Sequence, residues 1–260
     1  MADPAFLADA TAGFNEIPAR GPYTLAGSNS AIFVALRNIT PSHQTIINKI
    51  RTMVNDGSAA SYLPADYRTD AALVAGYEKQ LDTIAKLLNN PQVPSLESTF
   101  ATGMSFRAVN LHPLSRGTVR LNLTDKLQVP VVNYGTGSNP VDFDVYLAHA
   151  KYLRSVVNTT TFQGYGAKEV TPGAAVQTDT QLLDYIRGGL VLSFMHPCCT
   201  ASMLPRNLGG VVDAELKVYG AEGLRVVDMS TLPFLPSSHL SSVAYAVGEK
   251  AASIIIKEWN

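Results

Sequence analysis

The sequence predicts an α+β fold, with an antiparallel or mixed sheet that carries helices on one side. Apolar residues recur at three- and four-residue spacing in several long segments, a pattern typical of amphipathic helices. Short runs with strand character lie between and after these segments. They do not alternate with the helices as successive βαβ units would. The 260 residues are enough for one large domain, and we expect residues 1–260 to form one.

Five helices are predicted. In the clearest, residues 70–88, Tyr77 and Leu81 fall on one apolar face, and an Asn-Asn-Pro sequence ends the helix. The C-terminal helix begins after Ser237 or Ser238, either of which can cap it. The remaining expected helices are 45–54, 142–157 and 178–186.

Six short strands are predicted in the middle and C-terminal parts of the chain. They are 100–109, 117–123, 129–132, 190–195, 216–219 and 224–227. Residues 1–40 are rich in Gly, Pro and Ala, and we expect them to be irregular. Residues 190–260 combine two histidines with the C-terminal helix, and they are the expected functional region.

The charge composition limits the classes of partner. Only 16% of the residues are charged and the net charge is −1, so a nucleic-acid or anionic-membrane partner is not expected. No run approaches the roughly 20 apolar residues needed to span a bilayer. Because 46% of the residues are hydrophobic and few are charged, we expect a large core, a deep apolar pocket or a surface that is covered in the working protein. We expect a small-molecule substrate.

The sequence leaves the compartment open. The N-terminus has no basic segment followed by an apolar one, so no signal peptide is predicted and a cytoplasmic location is slightly favoured. Three glycosylation sequons, at Asn38, Asn122 and Asn158, would be usable only in a secreted chain, so secretion also stays open.

Two cysteines, Cys198 and Cys199, are adjacent in the chain. A disulfide between neighbours needs Cα atoms closer than usual and is strained, so we expect two small buried thiols in a turn. No other thiol can join them, and no metal site is predicted.

Two histidines are the candidate catalytic residues. His196 lies between an apolar run and a Pro-Cys-Cys-Thr turn, and His239 lies at the start of the last helix. An imidazole can take or give a proton near neutral pH. We expect structural roles for the other three: His43 as a helix cap, His112 at the end of a loop and His149 on a solvated helix face.

Three arginines alternate along or near the predicted strands: Arg107, Arg116 and Arg120. They are expected to be exposed strand charges. An alternative that stays open is that one of them binds a carboxylate on the substrate.

Several stretches together resemble one family. Near the C-terminus they are 196–203 (HPCCTASM), 208–213 (LGGVVD), 216–220 (LKVYG), 223–230 (GLRVVDMS) and 238–252 (SHLSSVAYAVGEKAA). Upstream, 112–121 (HPLSRGTVRL) resembles a strand motif of the same family's substrate domain. In this order they resemble the C-terminal half of a glucose–methanol–choline (GMC) oxidoreductase of the fungal glucose oxidase and aryl-alcohol oxidase type.

The resemblance implies roles for particular residues. His196 matches the base that takes the alcohol proton, and His239 matches a residue that holds the substrate oxygen opposite the flavin. Asp228 and Met229 match a stretch that contacts FAD, and Leu240 begins a helix that points at the flavin. Further residues are placed in the substrate pocket: Phe194, Tyr245 and Cys199, the last standing where the family has glycine.

The FAD-binding fingerprint Gly-x-Gly-x-x-Gly is not found in the sequence. Our leading hypothesis is therefore a stand-alone enzyme without cofactor that performs a non-redox reaction, such as cyclisation, pericyclic closure, dehydration or lysis, on a small apolar metabolite. The alternative is the substrate-binding half of a FAD-dependent alcohol oxidoreductase, with the FAD half supplied by another chain or lost. A third possibility is a non-enzymatic binding partner. A homodimer, or pairing with a FAD-domain chain, is compatible with these hypotheses.

Overall fold

The computed structural model describes residues 3–24, 30–101 and 105–259. Within these ranges the chain has the predicted α+β fold, with two small antiparallel sheets flanked by helices. The helices are α1 (Pro4–Phe14), α2 (Leu36–Ile39), α3 (His43–Asn55), α4 (Ala71–Asn89), α5 (Val141–Val157), α6 (Thr160–Gly164), α7 (Asp179–Gly189) and α8 (Leu240–Trp259). The strands are β1 (Ser30–Ala35), β2 (Pro94–Ala101), β3 (Ser105–Asn110), β4 (Thr118–Arg120) and β5 (Val131–Asn133).

The larger sheet has the order β1-β2-β3, and both strand pairs are antiparallel. Glu97 in the central strand lies opposite Phe33 on one side and Val109 on the other. Thr99, two residues further along β2, lies opposite Arg107. Strands β4 and β5 form a separate two-stranded sheet.

The main core lies between α3, α4 and α5, together with α2. The predicted apolar stripe of α4 supplies Leu81, Ile84 and Leu88, which are almost completely buried. They pack with residues of α3 such as Ile47 and Ile50. Burying a side chain of this size stabilises a fold by about 1.5–3 kcal/mol. The helical spacing in the sequence is therefore explained by one shared core.

Helix α4 also positions the C-terminal part of the chain. At Gly76 the helix approaches the backbone of Leu208 so closely that a Cβ atom would overlap the carbonyl oxygen. One turn later, the Gln80 amide donates a hydrogen bond to the Pro233 carbonyl at 2.7 Å. The segment that leads to His239 is thus fixed to the helical core.

A buried carboxylate fixes the start of α5. Asp142 accepts hydrogen bonds from the backbone N–H groups of Leu114 and Ser115, at 2.8 and 2.9 Å, and from the Ser115 hydroxyl at 2.6 Å. Burial raises the pKa of Asp142 above its usual value, although these hydrogen bonds oppose the shift. Asp144, in the same helical turn, instead pairs with Lys49 at the surface, at 2.7 Å.

Several predicted elements are wrong. Residues 1–40 hold α1, β1 and α2 where we expected irregular chain. The single strand expected at 100–109 overlaps the end of β2 and most of β3, and its residues 102–104 lie outside the described residues. Residues 190–195 end in a 3₁₀ turn, Ser193–Met195, and 216–219 and 224–227 contribute only isolated bridges. Helix α6 was not predicted, and the remaining helices and strands were predicted to within a few residues.

Two predicted surface residues are not on the surface. His149 is completely buried on α5, where its Nε2 atom lies 3.1 Å from the Ser95 hydroxyl, and burial lowers the pKa of His149 to about 3. Arg116 turns inward and donates to the Gln80 side chain at 3.0 Å. His149 lies four residues after Val145 on the apolar face of the predicted helix, so the helical period could have placed it in the core. The position of Arg116 depends on a contact with Gln80, which is distant in sequence. Arg107 and Arg120 are the expected exposed charges, and Arg120 pairs with Asp66 at 2.5 Å.

No helix among the described residues is long and apolar enough to cross a membrane.

Candidate functional site

The structure brings His196 and His239 together. The centroids of their rings lie 6.4 Å apart, and the ring planes are nearly perpendicular, at 83°. His196 directly follows the 3₁₀ turn Ser193–Met195, and His239 directly precedes α8. Although they lie 43 positions apart in the chain, one small molecule could contact both imidazoles.

Backbone hydrogen bonds align the two segments that carry the histidines. Residues 199–203 follow His196, and residues 229–231 begin the approach to His239. The bonds run from Cys199 N to Met229 O (3.2 Å), from Ala201 N to Ser230 O (2.9 Å) and from Met203 N to Thr231 O (2.7 Å). This ladder fixes the two segments side by side.

The backbone before His196 is strained. Three consecutive residues, Ser193, Phe194 and Met195, have φ angles of 54°, 47° and 58°, in the left-handed region that residues other than glycine rarely occupy. Such conformations cost of order 1–3 kcal/mol each and concentrate at functional sites. Phe194, a predicted pocket residue, contacts the His196 ring edge-on, with centroids 5.9 Å apart.

The expectation for the two cysteines was wrong. The sulfur atoms of Cys198 and Cys199 form a disulfide, and no free cysteine occurs among the described residues. Cys199 has a φ of 76°, so it takes a conformation that glycine adopts more easily. This agrees with its place in a turn where the resembling family has glycine.

Glu97 is a site residue that the sequence analysis missed. Its side chain is only 3% exposed, and its Oε1 atom lies 2.9 Å from Nε2 of His239. That distance suits an ion pair, but the angles are not those of a hydrogen bond, and Oε1 has no hydrogen-bond partner among the described residues. The sequence signal was a single acidic residue in a strand that is otherwise uncharged.

One face of the larger sheet meets His239, and we call it the site face. Residues directly opposite each other in antiparallel strands share a face, as do alternate residues of one strand. The site face therefore carries Phe33, Glu97, Thr99, Arg107 and Val109. The Phe33 ring contacts the His239 ring edge-on at 6.2 Å.

The histidine pair lies on an open surface. The His239 side chain is 53% exposed, and the neighbouring Met195 is 93% exposed. Two surface clefts, of about 600 and 370 Å³, lie elsewhere, and neither is lined by a histidine. Tyr245, the other predicted pocket residue, is 79% exposed on α8.

The residues predicted to meet FAD lie next to the pair. The exposed Asp228 accepts a hydrogen bond from Ser230 N at 2.7 Å, which closes the 3₁₀ turn Met229–Thr231. Met229 is half-buried beside it. The Leu240 side chain is buried, so any contact of Leu240 with a cofactor would come from its backbone. Within the described ranges, no group of three His, Cys, Asp or Glu side chains could hold a metal ion.

Comparison with known proteins identifies the family. The C-terminal family model described as GMC oxidoreductase matches residues 113–248, which is more than half of the chain. The chain is 38% identical over 196 residues to dehydrogenase xptC of Emericella nidulans, covering 75% of this chain and 31% of the relative. It is 30% identical to the GMC oxidoreductase family protein Mala s 12 of Malassezia sympodialis, covering 91% of this chain and 39% of that protein.

Solved structures agree with this family. A fungal aryl-alcohol oxidase matches 99% of this chain with a TM-score of 0.90 and 58% identity. A FAD-dependent oxidoreductase from Chaetomium thermophilum matches 99% with a TM-score of 0.89 and 36% identity. In both cases the match covers 43% of the other chain. The chain spans less than half the length of these relatives, and it belongs to the GMC oxidoreductase family.

Proposed function

We propose that this chain supplies the substrate-binding half of a FAD-dependent alcohol oxidoreductase, including its acid–base pair. The observation that carries the proposal is the approach of the His196 and His239 rings to 6.4 Å on an open surface. Two imidazoles at that separation can share one hydroxyl group between them. The likeness to a fungal aryl-alcohol oxidase over 99% of the chain supports an alcohol as the substrate.

The residues present fit a flavin. Members of the GMC family bind FAD, and an apolar ring system needs an apolar surface to cover it. Met195, next to His196 in the chain, and Phe33, in contact with His239, are both exposed. The residues of this chain that would hold the cofactor are Asp228, Met229 and the backbone at Leu240. The other contacts would come from a FAD-binding part, whether in the same protein or in another chain.

The two histidines would divide the proton chemistry. One ring nitrogen of His196 accepts the proton of the alcohol hydroxyl, while the other imidazole, His239, holds the same oxygen by donating an N–H. Bound FAD would supply the two-electron oxidant for the alcohol, which would be released as an aldehyde or ketone. The carboxylate of Glu97 keeps His239 in place and stabilises positive charge on it.

The non-redox reaction without cofactor, which was our leading hypothesis from the sequence, requires a different surface. Such a reaction would need this chain to enclose its substrate and exclude water. Among the described residues the pair is open, with His239 half-exposed and Met195 almost fully so. A surface that a FAD-binding part covers agrees better with this exposure, and we therefore favour the oxidoreductase.

The histidine roles can be tested in the FAD-loaded protein, which comprises this chain together with its FAD-binding part. The rate of flavin bleaching by a benzylic alcohol is measured without oxygen in wild type and in His196→Ala. We expect a loss of roughly 10²- to 10⁴-fold, the usual contribution of a general base. His43→Ala is the control, because His43 is the first residue of α3 and its ring contacts the Thr40 carbonyl rather than the histidine pair. The prediction that His43 caps this helix was wrong, since Ser42 is the N-cap residue. Equal bleaching rates in wild type and His196→Ala would refute the proposal.

A further inference from the structure

The strands of the larger sheet carry very few charges. Along β1, β2 and β3 the only charged residues are Glu97 and Arg107. Arg107 lies opposite Thr99, and Thr99 is two residues from Glu97 in the same strand. Both charged residues therefore lie on the site face, the face that meets His239.

The two charged residues differ in burial and in their partners. Glu97 is buried and approaches His239, whereas Arg107 is exposed. Within the described residues, Arg107 has no hydrogen-bond or carboxylate partner. Arg116 and Arg120 do have partners, in Gln80 and Asp66. An arginine without a partner on the site face is therefore available to a ligand.

The segments that carry the two histidines add no competing cation. Residues 190–205, which carry His196, contain no Asp, Glu, Lys or Arg, and neither do residues 229–248, which carry His239. The exposed Asp228 lies next to the second segment, and one of its carboxylate oxygens accepts a hydrogen bond from Ser230 N. The two segments that carry the histidines therefore hold no cation that would compete with Arg107 for an anionic ligand.

The separation suits one small molecule. Residues at diagonal positions of an antiparallel pair, such as Glu97 and Arg107, lie roughly 7–8 Å apart. His239 is in contact with Glu97. A substrate whose hydroxyl lies between the histidines can therefore extend along the site face and place a second group at Arg107.

We propose that Arg107 is a specificity residue that binds a carboxylate on the alcohol substrate. A guanidinium can donate two parallel hydrogen bonds to a carboxylate, which fixes the orientation of the bound molecule. The preferred substrates would be apolar, ring-containing alcohols with a carboxylate at the far end. This inference rests on the proposed alcohol oxidation, because it identifies the substrate class of that site.

The test compares a charged and a neutral substrate of the same shape in the FAD-loaded protein. The charged substrate is 4-(hydroxymethyl)benzoate, and the neutral one is 4-methylbenzyl alcohol. In Arg107→Met we expect kcat/KM for the charged substrate to fall roughly 10- to 100-fold, as the loss of a charge-assisted hydrogen bond predicts. The value for the neutral substrate should change less than about twofold, since Arg107 does not touch the reacting carbon.

Two variants serve as controls. Arg107→Lys keeps the charge but loses the paired donors, so it should recover part of the activity on the charged substrate. Arg120→Met removes an arginine that pairs with Asp66 at the surface, and it should leave both substrates unchanged. An equal loss for both substrates in Arg107→Met, or no loss for either, would overturn the proposal. An equal loss would instead indicate that Arg107 pairs with an acidic group of the FAD-binding part.

A second readout separates this proposal from the proposed function. The dissociation constant for benzoate, which has no alcohol to oxidise, is measured in wild type and in Arg107→Met. Weaker benzoate binding in the variant, without alcohol-dependent flavin bleaching in wild type, would retain the carboxylate site and refute the oxidoreductase. Bleaching with unchanged benzoate binding would retain the oxidoreductase and overturn the role of Arg107.

Discussion

At the scale of single residues, the contact between Glu97 and His239 decides how the second histidine can act. A buried carboxylate is costly unless positive charge or donors face it. Here the nearest such group is the His239 imidazole, 2.9 Å away. A positive charge on that ring would be stabilised by the carboxylate, so we propose that Glu97 and His239 act as a unit toward the substrate oxygen.

Replacing Glu97 with Gln should test this unit. The amide keeps the shape of the side chain but removes its charge, so it can no longer stabilise a protonated His239. We expect kcat for alcohol oxidation by the FAD-loaded protein to fall at least roughly tenfold, by analogy with other carboxylate-supported histidines. Glu222→Gln, at an exposed loop position, is the control. An unchanged kcat in Glu97→Gln would show that the contact has no part in the reaction.

The buried His149 should make the fold sensitive to acid. Its folded-state pKa is lowered to about 3 by burial, so the folded protein keeps it neutral while the unfolded chain binds a proton below about pH 6.5. Stability should therefore fall as the pH is lowered from about 6.5 toward 3, by at most roughly 1.4 kcal/mol per pH unit from this group.

The measurement is the free energy of unfolding by urea at about pH 7 and about pH 5. In His149→Gln the loss between these two pH values should be smaller than in wild type, because the titrating group is gone. It should not vanish, since the buried His112, whose pKa is lowered to about 4, contributes in the same direction. Identical losses in both proteins would mean that His149 does not titrate between the folded and unfolded states.

At the scale of elements, the first turn of α5 shows the difference between a buried and an exposed carboxylate. Asp142 accepts three hydrogen bonds from residues 114–115, whereas Asp144 has a surface ion pair with Lys49. Asp142 thus joins α5 to the chain that enters β4. Asp144 stabilises the contact between α5 and α3 only weakly.

Alanine substitutions should separate these two carboxylates. Asp142→Ala leaves buried N–H groups without acceptors and should lower the free energy of unfolding by roughly 3 kcal/mol or more. Asp144→Ala should cost less than about 1 kcal/mol, as exposed ion pairs do. Urea denaturation of both variants, with wild type, gives the comparison. Similar losses in the two variants would contradict the account of this helix start.

The elements also show which parts of the fold sequence patterns can predict. Helices α3, α4, α5 and α8 were predicted because their apolar residues repeat at the helical period within one segment. Strand β1 was missed because its partner β2 lies about 60 residues further along the chain. Residues 216–227 have strand composition, but in the structure they form only isolated bridges.

The same contrast between local sequence patterns and contacts distant in the chain applies to the residues of the candidate site. His196 and His239 were found from their motifs, and their approach was anticipated from the resemblance. Glu97 was not found, because its importance depends on the register of β2 and on the position at which α8 begins. We did not predict the disulfide, because a bond between adjacent cysteines is generally strained. The structure contains it, in a turn where Cys199 has a positive φ.

At the scale of the whole molecule, the low proportion of charged residues agrees with the large amount of exposed apolar surface. Large apolar side chains are exposed at both ends of the chain and around the histidine pair, including Phe14, Ile17, Met195 and Trp259. Exposed apolar surface of this extent is typical of an interaction face. The chain spans less than half of its relatives, and a FAD-binding part is the partner that we propose for this surface.

The most direct test of the central claim is the visible spectrum of the FAD-loaded protein, recorded before and after a benzylic alcohol is added without oxygen. The account predicts that the flavin bleaches and that one aldehyde forms for each flavin reduced. A flavin spectrum that stays oxidised, or conversion of the alcohol with no change in the flavin, would contradict the claim that the two histidines support alcohol oxidation by FAD.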